Sequence, residues 1–324
     1  MSLARRHLLL AATPALATPG LVRAQGTWNP TQPVRVIVPF TAGGTMDPVI
    51  RIAQQALQAD LGQPVVLEHR PGGATVIGTT EAQRAAPDGH TMIMVANSFA
   101  ANVTLRPNTP YNALRDFAPI TMATVVPHVL AVHPSVARDF AGFLDAGRRP
   151  GAGVSFGSYG IGTSNHLGGE QFARLARLNA THVPYSGAAQ ANTDLIGNRI
   201  QFMFANLPDM IQPVQVGQVR AIAISNERRV RELPDTPTMA ELGFPLVLSD
   251  SWFGLVIRSE TPAPIRARLE AAWIAALNRP EVRGRLEEQG FTVLARPAGA
   301  FGQEIRRYAE TYAGVIRDAN ITVN

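Results

Sequence analysis

PVRVIVPFTAGGTMDP, residues 33–48, decides the fold. Val34-Arg35-Val36-Ile37-Val38 is β-branched at every position but Arg35 and reads as a strand. From Pro48 to Leu61 the period changes, and Ile52, Ala53, Ala56 and Leu57 fall on one helical face. Between strand and helix stand Gly43 and Gly44, which let the backbone approach a ligand closely and take positive φ. Asp47-Pro48 is expected to act as N-cap and N1, leaving free N–H groups that can point at an anion. A tight strand–helix turn without a ligand would use the same glycines. The spacing is not the G-x-G-x-x-G of a dinucleotide site.

Working outward, Val65 to Leu67 is the next strand, Ala74 to Ala86 a helix, and Thr91 to Ala96 a strand apolar on both faces. This β-α-β-α-β order implies a parallel sheet covered by helices. After a long apolar run over Ile120 to Val132, broken by Pro127, the signals repeat. Val154 to Phe156 is a strand, Asn165 to Leu178 a helix, Thr181 to Val183 a strand and Ala189 to Ile196 a helix. Strands follow at Phe202 to Phe204 and Ala221 to Ile224. The C-terminal part offers Trp252 to Ile257 as a strand, then helices at Ile265 to Leu277, Arg283 to Gln289 and a last one through Phe301, Ile305, Tyr308, Tyr312 and Val315. Its one further strand is Phe291 to Leu294, so these helices are expected to return to the first unit. The fold class is α/β, with two lobes and a cleft between them: lobe 1 from residues 25–125 plus 250–324, lobe 2 from 126–249. Two crossings, near 125 and 250, would act as a hinge.

The second lobe repeats the informative turn. Gly157-Ser158-Tyr159-Gly160-Ile161-Gly162-Thr163-Ser164-Asn165-His166 also follows a strand and opens a helix, with Thr163 or Ser164 as cap. Two such turns facing each other would place two positive helix ends around one ligand, which suits a carboxylate.

Composition narrows the chemistry. The 324 residues include no cysteine and no lysine, although Lys and Arg together number 29, all of them Arg. Disulfides, thiolate metal sites, Schiff bases and Walker A loops are thereby excluded. Arg5-Arg6 followed by an apolar run from Leu8 to Leu21 reads as an export signal over residues 1–24, of secretory or twin-arginine type, cleaved near Ala24. Those residues hold three arginines and no acid, so removing them lowers the net charge from +5 to +2. No basic run with interleaved aromatics is present, so no nucleic-acid partner is expected. Ser164 and His166 invite a hydrolase reading, but there is no G-x-S-x-G elbow and no third member. His69, His90 and His182 lack metal-ligand spacing, and no metal is expected.

The residues also carry a family resemblance. PVRVIVPFTAGGTMD (33–47), LGQPVVLEHRPGG (61–73), APDGHTMIM (86–94), YNALRDFAPI (111–120), SYGIGTSNHLGGEQF (158–172), HVPYSGAAQANTDLIGNRIQFMFANLP (182–208), VRAIAISNERR (219–229) and LPDTPTMAELGFP (233–245) run in one order across nearly all the mature chain. This chain resembles the tripartite tricarboxylate transporter substrate-binding proteins, the Bug family of extracytoplasmic solute receptors. The resemblance implies a type II periplasmic-binding-protein fold, no catalysis, no cofactor and a periplasmic location. It implies a monomer that takes a small organic acid, often a di- or tricarboxylate, and passes it to membrane permease subunits. A sensor delivering its ligand to a signalling partner has the same sequence signature. Carried over by position, Phe40, Thr41, Ala42, Gly43, Gly44, Thr45 and Asp47 would form one wall of the site. Ser158, Tyr159, Gly160, Thr163 and His166 would form the other. Tyr185, Ser186, Gly187, Ala188 and Asn206 would complete it, with Ser98 near the hinge. The chain departs from the family at Ala188, where Gly is common, at Ala205, where Asp is frequent, and at His69, where Asn is common. An acid lost at 205 would make the cleft more tolerant of negative charge if that position lines it.

Overall fold

The structure is a computed structural model that describes residues 28–151, 153–247, 249–318 and 320–323. The expected export signal lies outside the described residues.

Strand β1 (Val34–Val38) is buried on both faces, Val34, Val36 and Val38 in one core and Ile37 in another. Each such side chain removed from water contributes about 1.5–3 kcal/mol. Helix α1 (Met46–Leu61) covers the first face, and Gly62 ends it in a left-handed conformation. Strand β2 (Val65–His69), helix α2 (Val76–Arg84) and strand β3 (Thr91–Val95) complete a parallel unit in which β1 pairs with both other strands. Helix α3 (Asn97–Leu105) follows after Ala96 alone.

Strand β4 (Phe117–Val132) is the spine of the molecule. The second α/β unit comprises α4 (Phe140–Arg148), β5 (Val154–Ser158), α5 (Ser164–Ala176), β6 (Ala180–Pro184), α6 (Ala188–Ile196), β7 (Phe202–Asn206), α7 (Leu207–Gln215) and β8 (Arg220–Ser225). The chain returns through β9 (Asp250–Arg258), α8 (Ala263–Asn278), α9 (Pro280–Glu288), β10 (Thr292–Pro297) and α10 (Ala298–Asp318).

These strands form one mixed sheet in the order β2-β1-β3-β9-β4-β7-β5-β6, with β8 and β10 also on β4. From Phe117 to Pro127, β4 pairs with β9 and β10; from His128 to Val132 it pairs with β7 and β8. Pro127, which has no N–H to give, stands where the partners change. The C-terminal helices do return to the first unit: α8 packs on α1 and β10, and α10 on α3 and β4. In the second unit Leu130 and Val132 join Phe156, Phe172, Phe202 and Phe204 in one core, while Val129, Ala131, Met203 and Ala205 join the opposite one. The period-2 alternation of β4 therefore separates two cores on either side of the sheet.

Candidate functional site

The β1–α1 turn is built differently from the sequence expectation. Helix α1 begins at Met46 with Thr45 as N-cap, so Asp47 lies inside the first turn rather than at the cap. The Asp47 carboxylate reaches back instead: its Oδ2 accepts the Gly43 N–H at 3.0 Å and its Oδ1 lies 2.9 Å from His69 Nε2. Gly43 takes φ +82°, a value that favours glycine. One turn amide is thus held by the protein itself. Those of Gly44 and Thr45 have no hydrogen-bond partner among the described residues.

In the β5–α5 turn Thr163 is the cap, its Oγ1 accepting the His166 N–H and donating to Gly160 O at 2.7 Å. The amides of Gly160 and Gly162 are taken by Ser158 Oγ and His166 Nδ1, both at 3.2 Å. The glycine amides of this turn therefore serve its own geometry. The second wall comes from the first turn of α5, Ser164 and Asn165, which lines the cleft.

The cleft holds about 460 Å³ of atom-free space, its open part included. Phe40, Thr41, Gly44, Thr45, Asp47, Ser98, Tyr159, Thr163, Ala188 and Asn206 all line it, as do Asn97, Ser164, Asn165, Ser251 and Phe253. Gly160, Tyr185 and Ser186 line an adjoining cavity that shares Phe40 and Tyr159 with it. Gly187, from the second α/β unit, lies against Thr41 of the β1–α1 turn, and Ala42 and Gly43 are exposed. Ser158 and His166 lie behind the wall: Ser158 Oγ is 2.7 Å from His182 Nε2, and the His166 and His182 rings stack at 3.9 Å. Ala205 belongs to the core, so its difference from the family carries no message about the charge of the cleft.

Helix N-termini converge on this space. The first turns of α1, α3 and α5 line it, α6 begins at Ala188 and Asn206 caps α7. Each end carries roughly half a positive charge. No arginine or histidine is among the lining residues. Two buried polar atoms in the lining have no partner: Ser98 Oγ, a donor, and Asn206 Oδ1, an acceptor. Leaving such atoms unpaired costs about 1–3 kcal/mol each, which a ligand or water can recover.

A polar clasp joins the two walls. Thr45 Oγ1 accepts from Asn206 Nδ2 at 2.6 Å and donates to Asp209 Oδ2 at 2.9 Å, and Tyr159 OH donates to the same oxygen at 2.7 Å. Burial pushes the Asp209 carboxyl up to about 6, against the two hydroxyl bonds that favour its charged form. The sequence reading missed Asp209; its one signal was an acid in the first turn after Asn206-Leu207-Pro208.

Beneath the floor Ser164 Oγ meets Ser251 Oγ at 2.9 Å and His128 Nε2 at 3.4 Å, while Ser249 Oγ lies 2.8 Å from His128 Nδ1. Burial lowers His128 to about 3, so it is neutral. Ser164 thus meets His128 rather than His166, and the far ring nitrogen finds a hydroxyl in place of a carboxylate. This is a packed polar seam, not a nucleophile with its base.

His166, Glu170 and His182 bring one ligand-type atom each within 4.8 Å of one another, a grouping the sequence spacing did not reveal. The donors do not suit a metal. His166 Nδ1 already accepts the Gly162 N–H, whereas metal on Nε2 requires a proton on Nδ1.

The pattern that defines the Tripartite tricarboxylate transporter family receptor matches residues 49–321. The chain belongs to that family. The family is one of solute receptors rather than enzymes, and this receptor shares its periplasmic-binding-protein-like α/β fold. It is 34% identical to Protein BugT of Bordetella pertussis over 297 residues, 89% of this chain and 90% of that one. It is similar to MatC from Rhodopseudomonas palustris with bound malate, at TM-score 0.84 and 29% identity over 89% of this chain and 99% of that chain. It is also similar to R. palustris Rpa4515 with adipate, at TM-score 0.86 and 27% identity over 90% and 99% of the two chains. Among the described residues no helix of the receptor is long and apolar enough to cross a membrane.

Proposed function

We propose that this receptor captures a small carboxylate, an organic di- or tricarboxylate or a related acid, between its lobes and delivers it to membrane permease subunits of a tripartite transporter. On this reading the mature protein works in the periplasm after cleavage near Ala24. Lobe 1 comprises residues 25–125 plus 250–324 and lobe 2 residues 126–249, hinged where β4 changes partners and where β9 begins.

One observation carries the reading. A cleft with no basic side chain is ringed by helix N-termini, with the Ser98 hydroxyl buried and unpaired beside them. That environment favours an anion that accepts several N–H and O–H groups at once. Malate on MatC and adipate on Rpa4515 support the same ligand chemistry. Asn206 Oδ1 would then accept from a ligand hydroxyl or a bridging water. A ligand that touches both walls binds the closed state better than the open one, and so draws the lobes together.

Calorimetry against a panel of organic acids, their amides, sugars and amines tests this. Saturable binding of acids with no heat from the matching amides is expected. Binding of sugars or amines in preference to every acid would overturn it.

A further inference from the structure

The adjoining cavity differs from the main cleft in one respect: it has a cation. Its lining includes Phe40, Tyr159, Tyr185, Ser186, the Gly72–Thr75 segment and Arg106. No acidic residue lines it, and Arg106 is its one charged side chain. The space amounts to about 560 Å³, its open part included.

Arg106 has no ion pair among the described residues, and its guanidinium donates no hydrogen bond to them. Its Nε is buried without a partner. A buried guanidinium N–H without an acceptor is costly, and with no ion pair beside it the Nε–H of Arg106 is left unmet. Part of that charge is accounted for by position, since Arg106 is the C-cap of α3, whose C-terminal carbonyls favour a cation. The helix end leaves the planar fork itself without an acceptor.

The backbone that lines the same cavity runs through the left-handed region. Gly72, Gly73, Ala74 and Thr75 have φ of +119°, +56°, +48° and +78° in succession, and two of the four are not glycine. Asn102 on α3 holds this run, donating to Ala74 O at 3.1 Å. Asn102 stands one turn before Arg106 on the same helix, so the segment and the arginine are fixed to each other.

We infer that this cavity is a second anion subsite, and that the receptor's ligands are elongated dianions with one carboxylate in the main cleft and the other on Arg106. This rests on the reading of the main cleft as a carboxylate site. The two spaces adjoin at the Phe40 and Tyr159 rings, so a ligand that reaches from one to the other would lay a methylene chain or an aromatic ring against them. The first head group lies among uncharged N–H and O–H donors; the second meets a planar fork that matches a carboxylate edge to edge. Monocarboxylates would fill only the first.

Calorimetry with matched straight-chain pairs tests the inference: butanoate and succinate, hexanoate and adipate, octanoate and suberate. The receptor should favour the diacid over the monoacid by roughly tenfold or more at the lengths that reach Arg106. Arg106→Gln should abolish that preference and leave monoacid affinity within about twofold, while Arg106→Lys, which keeps the charge but loses the fork, should restore part of it. Ser186→Asp, at an exposed position on the same rim, should also abolish the preference by placing an acid beside the arginine. Unchanged diacid preference in both Arg106→Gln and Ser186→Asp would overturn the subsite, as would a receptor that prefers the monoacid at every length; the main cleft would survive either result. A receptor that binds none of these acids would overturn the cleft reading and this inference with it.

Discussion

Replacing Gly187 with alanine should weaken ligand binding while sparing the fold. A Cβ at this position would lie 2.3 Å from Thr41 Oγ1 and 3.3 Å from the Thr41 amide nitrogen. On the proposed division Thr41 belongs to lobe 1 and Gly187 to lobe 2, so the clash would exist only when the lobes are together. Gly187 has φ 161°, extended backbone that alanine adopts without strain. Overpacking of this kind costs about 1–3 kcal/mol. If the closed state alone bears the cost, the dissociation constant rises roughly 5- to 150-fold. The lower end applies if the Thr41 hydroxyl rotates away, because the contact with its amide remains. Urea unfolding of the ligand-free protein should change by less than about 0.5 kcal/mol. Adding Thr41→Ala removes the hydroxyl, and in that background the Gly187 penalty should largely vanish, a coupling a double-mutant cycle reads directly. An equal loss of stability and affinity in Gly187→Ala, or a penalty untouched by Thr41→Ala, would refute lobe closure onto this contact.

Ser98→Ala should cost about 0.5–1.5 kcal/mol of ligand affinity, a few-fold to tenfold, by calorimetry. The same change should leave ligand-free stability equal or higher, because the Ser98 hydroxyl is buried there without a partner. Asp209 titrates near 6 in the folded protein, above its ordinary value of 3.8, so the stability it adds is present below 3.8 and lost as pH rises through 6. Between pH 8 and 5 it gains at most about 1.4 kcal/mol. His128 and His182, both lowered to about 3 by burial, work the other way and are lost as pH falls below 6.5, each by up to about 2 kcal/mol at pH 5. Asp250, also raised to about 6 by burial, acts as Asp209 does, but the two histidines outweigh the two carboxyls, so unfolding free energy should fall from pH 7 to 5, and Asp209→Asn should fall more steeply by up to about 1.4 kcal/mol. Equal slopes for the two proteins would show that Asp209 does not hold that proton.

The periodic parts of the fold were legible because their burial is one-sided or uniform. The strand from Val34 to Val38 and the helix face from Ile52 to Leu57 stand where the sequence put them. Three helices were not legible, each for its own reason. Helix α3 buries Asn97, Ser98, Phe99, Ala100, Ala101 and Asn102 in a row, so it has no polar face to set a period. Helix α4 contains Gly142 and Gly147, and α7 carries Pro208 and Pro213, residues that argue against a helix on propensity alone. Missing α3 also hid Asn97, which lines the cleft beside Ser98. The glycines told less than their spacing suggested. A Cβ at Gly44 would meet only Ala188 Cβ at 3.7 Å and Thr41 O at 3.8 Å, whereas Gly162 combines φ +85° with Leu105 Cδ2 at 2.6 Å and is demanded by packing. No local pattern announces which amides a folded turn keeps for itself, so the sequence did not show that Asp47 and His166 each hold a glycine N–H.

The most direct test is a crystal structure of the receptor with a bound dicarboxylate at pH 7. One carboxylate should lie within hydrogen-bond distance, about 2.7–3.0 Å, of the Gly44 or Thr45 amide, the Ser98 hydroxyl and the first-turn amides of α5 at Ser164 and Asn165. A ligand found outside this ring, or one whose carboxylate is bound by an arginine while those amides face solvent, would contradict the account.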